Sequence, residues 1–228
     1  MRDLIKLYLM VVSVGLFSCR EMDDVNVDLG LDYQPLETGM FWEYEVDETI
    51  VFGENDSEEF VYFFRDVIDY SYINEAGEEV YVVMREKSPD RVEWLIEGNF
   101  SLLIRNKTLV RMQENEIVVT FSFPPLLNKS WDGRVYSSRE SEMFNIDLLG
   151  AYQLGLTNYS QVVQVSQSQE DDKITLRDNR YEVYAKGIGM IEQYYEVFTY
   201  CSRNDCLGQE LIDSGSLRHL RIINYGKN

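Results

Sequence analysis

The chain has 228 residues, 45% of them hydrophobic and 27% charged, and a formal charge of −19. That balance belongs to a folded domain and is too apolar for a disordered one. A charge of this sign repels phosphate backbones and argues against nucleic acid as a partner.

The chain opens with Arg2 and Lys6 ahead of the apolar run Leu7–Phe17. A short basic end followed by about 7–15 apolar residues is the pattern of a secretory signal peptide, and the run is too short to span a bilayer as a helix. It ends in Leu16-Phe17-Ser18-Cys19, which resembles the bacterial lipobox, although Phe17 is bulkier than the usual residue there. The resemblance implies cleavage before Cys19 and acylation of its thiol. Two acyl chains, at about 0.8 kcal/mol per buried CH₂, hold a protein stably on a membrane. Arg20 rather than Asp follows the cysteine, which by resemblance to envelope lipoproteins favours the outer membrane. Glu21, Asp23 and Asp24 come next and are similar to the acidic export signal of Bacteroidetes surface lipoproteins. Residues 1–18 are therefore expected to be a signal peptide, 19–32 an acidic tether and 33–228 a single β domain. Without residues 1–18, which hold Arg2, Lys6 and Asp3, the charge is −20.

Beyond the tether the recurring signal is alternation. Trp42, Tyr44 and Val46 alternate with Glu43, Glu45 and Asp47, the inward/outward pattern of a half-buried strand. Val80, Val82 and Met84 repeat it, as do Val92, Trp94 and Ile96 against Arg91 and Glu93. Further strand-like runs, rich in residues that fit a pleated surface, occupy 60–70, 101–105, 109–113, 117–123, 162–166, 181–185, 190–200 and 217–223. Turn clusters separate them at 53–56, 74–77, 106–107, 114–116 and 177–179. Strands this closely spaced leave no room for crossover helices and pair antiparallel. One short helix is expected within 143–152, where Phe144, Leu148 and Tyr152 would share a face. The fold class is thus all-β and mainly antiparallel, a curved sheet or half-open β-barrel with at most short helices. Trp42, Tyr44, Trp94 and Trp131 are expected in the core. Pro35-Leu36 before Trp42, and Pro125-Leu126 before Trp131, hint at a duplicated half.

Tyr33-Gln-Pro35-Leu36 with Gly39-Met-Phe-Trp42-Glu-Tyr44, and Tyr184-Ala-Lys-Gly187-Ile-Gly189-Met-Ile191, resemble the two ends of an uncharacterised Bacteroidetes-type envelope lipoprotein family. The resemblance implies envelope location and a curved antiparallel sheet distantly similar to the lipoprotein-carrier and sorting proteins. It brings no catalytic residues. Gly187 and Gly189 read as a glycine bulge or a tight turn between strands, since a phosphate-binding glycine loop needs a helix N-terminus behind it.

Cys201 and Cys206 form an even pair once Cys19 is assigned to lipid. In an oxidising compartment, across the turn-forming Ser202–Asp205, they are expected to close a hairpin loop as a disulfide. No metal site and no cofactor is expected: His219 is the lone histidine and alternates with leucines, and zinc sites need more nitrogen and sulfur ligands than the chain offers. The acidic clusters 55–59 and 170–172 lack the spacing of a calcium loop. No catalytic residue stands out. The expected role is non-enzymatic binding or envelope assembly at the outer membrane, with an apolar or carbohydrate ligand or an envelope protein as partner. A protein-interaction component of a surface complex, or a hydrolase of glycans or lipids, remains open.

Overall fold

The computed structural model describes residues 28–54 and 56–228, so Cys19 and the signal sequence before it lie outside the described residues. Twelve strands follow one 3-10 turn at Leu31–Tyr33: β1 (Met40–Gly53), β2 (Asp56–Ile73), β3 (Glu79–Ser88), β4 (Leu95–Arg105), β5 (Thr108–Gln113), β6 (Glu116–Ser122), β7 (Ser130–Asp132), β8 (Met143–Leu154), β9 (Thr157–Asp171), β10 (Leu176–Ala185), β11 (Gly189–Tyr200) and β12 (Ile212–Lys227). They form one antiparallel sheet in the order β6-β5-β4-β3-β2-β1-β12-β11-β10-β9-β8-β7. Two six-strand meanders thus meet where β1 pairs β12, Met40 opposite Lys227.

The sheet nearly closes on itself. At the free edges the Val119 N–H donates to the Gly133 carbonyl at 2.8 Å, and Trp131 Nε1–H donates to the Val119 carbonyl at 2.8 Å. A half-open sheet would expose two edges as templates for pairing, and curling until they meet removes them. Gly133 is required there: a Cβ would sit 2.5 Å from the Phe144 ring. Trp42 makes the reciprocal bond from the other half, its Nε1–H donating to the Ile188 carbonyl at 2.6 Å.

Alternation assigns each face. Leu102, Leu109, Val163, Tyr184 and Met190 belong to the large cluster inside the barrel. Their sequence neighbours Leu103 and Val110, or Val162, Val183 and Ile191, form two clusters on the outer face. Tyr44 (2% exposed), Phe121 and Phe144 are fully enclosed in the interior, each such side chain contributing roughly 1.5–3 kcal/mol by removal from water. Trp42 is buried as expected, whereas Trp94 and Trp131 are half-buried; Arg65 stacks on the Trp94 ring at 4.0 Å.

Three further expectations are corrected. The segment 143–152 is strand, not helix: Phe144 and Ile146 both point into the core, a period of two that outweighs the helical spacing of Phe144, Leu148 and Tyr152. Residues 177–179 are not a turn but part of β10, because the turn is made just before them. Asp172 Oδ1 there accepts the backbone N–H groups of Ile174, Thr175 and Leu176. Finally, Arg91–Trp94 precede β4 as a bend that Ser88 and Asp90 hold through side-chain bonds to the N–H groups of Arg91 and Val92, and Val92 is exposed. The other expected runs fall on strands. Gly187 and Gly189 make a turn with φ of +78° and +111°. Among the described residues no helix is long and apolar enough to cross a membrane.

Candidate functional site

The antiparallel course puts the turns at two ends. One end carries the chain entry at residue 28, the turns at 74–78, 106–107, 155–156 and 186–188, and the loop 123–129. It is plugged. The Gly187 N–H donates to the Asp32 carbonyl at 2.7 Å, Gly30 lies against Pro125, and Tyr33 stacks on Phe121. The opposite end carries the loops at 88–95, 114–116, 133–142, 172–175 and 201–211 and opens into a cavity of about 270 Å³.

The cavity floor is Gln34, Trp42 and Tyr44; its walls mix Phe100, Leu102 and Phe144 with paired charges. On β2 and β3, Arg85 holds Asp66 through two bonds of 2.7 and 2.6 Å, and its guanidinium lies over the Phe64 ring at 4.5 Å. Across the interior, Arg111 of β5 holds Glu182 of β10 through bonds of 2.7 and 3.2 Å. Glu182 also accepts from Tyr184 and, at 2.7 Å, from Gln193. Burial raises the Glu182 carboxyl, but Arg111 and the donors around it more than offset that and hold it below its ordinary value. Burial likewise disfavours the Arg85 and Arg111 charges, and their carboxylate partners reverse the sign and raise both. Tyr44 feels all four of these charges; burial pushes its phenol well up, so it stays neutral and donates to the Met190 carbonyl at 3.0 Å.

Nearer the mouth, Arg180 holds Asp178 at 2.6 and 2.7 Å and reaches Glu142, which also accepts from Arg134 at 2.5 Å. Arg218 of β12 is different. It lines the cavity beside its cross-strand neighbour Tyr195, and its Nε is buried with no hydrogen-bond partner. Among the described residues no carboxylate lies within ion-pair distance of it; Glu48, opposite it in register, accepts instead from Tyr62 at 3.0 Å. Five arginines and no lysine therefore line this cavity, and four of the five are matched by carboxylates.

The residues singled out in the sequence lie elsewhere. Cys201 and Cys206 are bridged, with Cα atoms 5.8 Å apart, in the loop after β11. The hairpin closes outside the bridge, where the Cys201 N–H donates to the Leu211 carbonyl at 2.7 Å. His219 faces outward, and its Nε2 meets the Glu192 carboxylate at 2.6 Å, which also accepts from Tyr152 at 2.5 Å. Of the acidic clusters, Asp56–Glu59 begin β2 and Asp172 caps its own turn. Among the described residues no three His, Cys, Asp or Glu side chains gather as metal ligands do. The cavity arginines were missed because strand charges read as outward. The available signal was parity: Arg85 stands two after Val83, Arg111 two after Leu109, and Arg218 two before Leu220, all inward.

No protein-family model and no curated protein matches the chain. Two solved structures are similar in strand course. One is described as an exported protein with a YmcC-like fold from Bacteroides fragilis, with TM-score 0.42, 10% identity, and coverage of 84% of this chain and 98% of its own. The other is described as a lipoprotein from Parabacteroides distasonis, with TM-score 0.40, 9% identity, and coverage of 85% and 98%. Likenesses at this level do not bear on what this chain does.

Proposed function

We propose that the protein is an envelope lipoprotein, tied to the outer membrane through Cys19, that binds a small anionic ligand inside its barrel without chemically changing it. The observation that carries this reading is the unmatched Arg218 guanidinium in the cavity wall. A half-buried arginine that faces a cavity without a carboxylate partner is a ready seat for a carboxylate or phosphate oxygen, its planar fork being suited to both. The expected apolar ligand fits poorly, because ion pairs interrupt the walls and the volume lies just below the roughly 300–1,000 Å³ of ordinary ligand pockets. Trp42, Tyr44, Phe100 and Tyr195 stand among the charges that line the cavity, so an acidic sugar or a compact organic acid suits the site better than an acyl chain. The paired carboxylates are held by arginines instead of standing free as acid and base, which favours binding over hydrolysis.

Ligand that binds only the folded state raises the unfolding temperature in proportion to the logarithm of its concentration. Thermal unfolding of the mature protein against small carboxylates, phosphates and neutral sugars tests the reading. Stabilisation by one anionic class is expected. Stabilisation by neutral sugars alone, or by nothing in the series, would overturn it.

A further inference from the structure

The plugged end of the barrel carries features that the cavity does not explain. Turn tips ordinarily hold Gly, Asn, Asp or Ser, as Asn74–Glu78 and Asn106-Lys107 do at this end, yet the 155–156 tip and the 123–129 loop expose leucines. Leu156, at the tip of the β8–β9 hairpin, is 100% exposed. Leu126 and Leu127 are 58% and 54% exposed in the loop after β6, and Leu31 and Ile73 stand out at the same end. The Leu126-Leu127 loop is braced in that posture: Lys129 Nζ donates to the Phe123 and Pro124 carbonyls at 2.9 and 3.0 Å, and the Lys129 N–H to the Leu126 carbonyl at 3.0 Å. The charges of this end are largely paired with one another: Lys186 meets Asp28 at 2.9 Å, Lys227 meets Glu37 at 2.6 Å and Arg105 meets Glu78 at 2.6 Å. The opposite rim also exposes apolar side chains, Val92, Leu95 and Ile96 among them, but carries carboxylates unpaired among the described residues beside them, with Glu54, Asp56, Asp90, Glu93 and Glu114.

We infer that the plugged end is a bilayer-docking face, on which Leu126, Leu127 and Leu156 enter the boundary between headgroups and acyl chains. The inference rests on acylation at Cys19 but not on any cavity ligand. The described chain begins at this end, with Asp28. Eight residues separate it from Cys19, and a chain spans at most about 3.3–3.6 Å per residue, so the lipid is held within roughly 30 Å of the face. Burying leucine tips gives a membrane contact that scales with the apolar area buried. The acidic rim is repelled from the same surface. In this posture the barrel stands upright, and the cavity mouth points away from the membrane.

Hydrogen exchange read by mass spectrometry tests the face without altering the chain. The acylated protein is purified from its envelope and compared in detergent-free solution at low concentration and in vesicles of phosphatidylethanolamine and phosphatidylglycerol. Peptides covering 124–128 and 154–157 should exchange several-fold more slowly on vesicles, while those covering 202–210 should not change. Equal rates at 124–128 and 154–157 with and without vesicles would overturn the inference, as would protection of 202–210 instead. An unmodified Cys19 removes the tether and overturns it too. None of these readouts depends on a ligand, so they stand apart from the fate of the proposed function.

Discussion

Replacing Glu182 by glutamine isolates the electrostatic design of the barrel interior. The substitution keeps volume but removes the charge opposite Arg111 and turns one acceptor into a donor. The Glu182 side chain is 1% exposed and accepts two bonds from Arg111, one from Tyr184 and one from Gln193, so little water can take over. Removing one partner of a buried pair costs about 3–5 kcal/mol, because the other charge stays buried and unmatched. At about 2–4 °C per kcal/mol for a domain of this size, E182Q should unfold about 10 °C below the wild type. Circular dichroism and tryptophan emission on heating both read this. The double variant R111M/E182L should lose less than either single change, since an apolar pair needs no partner. If E182Q stays within about 1 kcal/mol of the wild type, the range of an ordinary surface substitution, the pair is not the buried bridge described.

Other outcomes follow from the same geometry. Glu182 binds its proton less readily folded than unfolded, so its contribution is complete above its ordinary value of 4.5 and is lost as pH falls through and below it; denaturant midpoints measured from pH 7 downward should be level until near that value and then drop, more steeply than in E182Q. G133A forces a methyl group against Phe144 and should cost about 1–3 kcal/mol by overpacking, with faster exchange at the Val119 amide of the seam. Reducing Cys201–Cys206 should cost about 2 kcal/mol, small because the closed loop is short, and should loosen residues 202–205 first. R218M should leave the ligand-free protein about as stable as the wild type, since Arg218 is half-buried and has no carboxylate partner among the described residues to lose.

Alternation carried most of the fold into view: once Trp42, Tyr44 and Val46 are read as one face, pairing and class follow, and the turns at 74–77, 106–107 and 114–116 stand where their residues ask for them. Closure was not legible, because it depends on Val119 meeting Gly133 across the seam, a contact between the last strand of one meander and the first of the other. The helix expected at 143–152 failed because Leu148 and Tyr152 lie past bulges that shift the strand's parity, a change no periodicity count anticipates. The cavity was least legible. Arginine on a strand usually faces water, and only the inward parity of Arg85, Arg111 and Arg218, together with carboxylates brought from distant strands, makes a polar interior. Sequence shows the parity but not the partners.

The central claim is that a small anion sits against Arg218 inside the barrel. Native mass spectrometry of the mature wild-type and R218Q proteins, each purified from its own envelope, tests it most directly. The account predicts a wild-type mass in excess of the denatured acylated chain by that of one small acidic compound, and no excess for R218Q. Identical native and denatured masses for the wild type, or a ligand retained undiminished by R218Q, would contradict it.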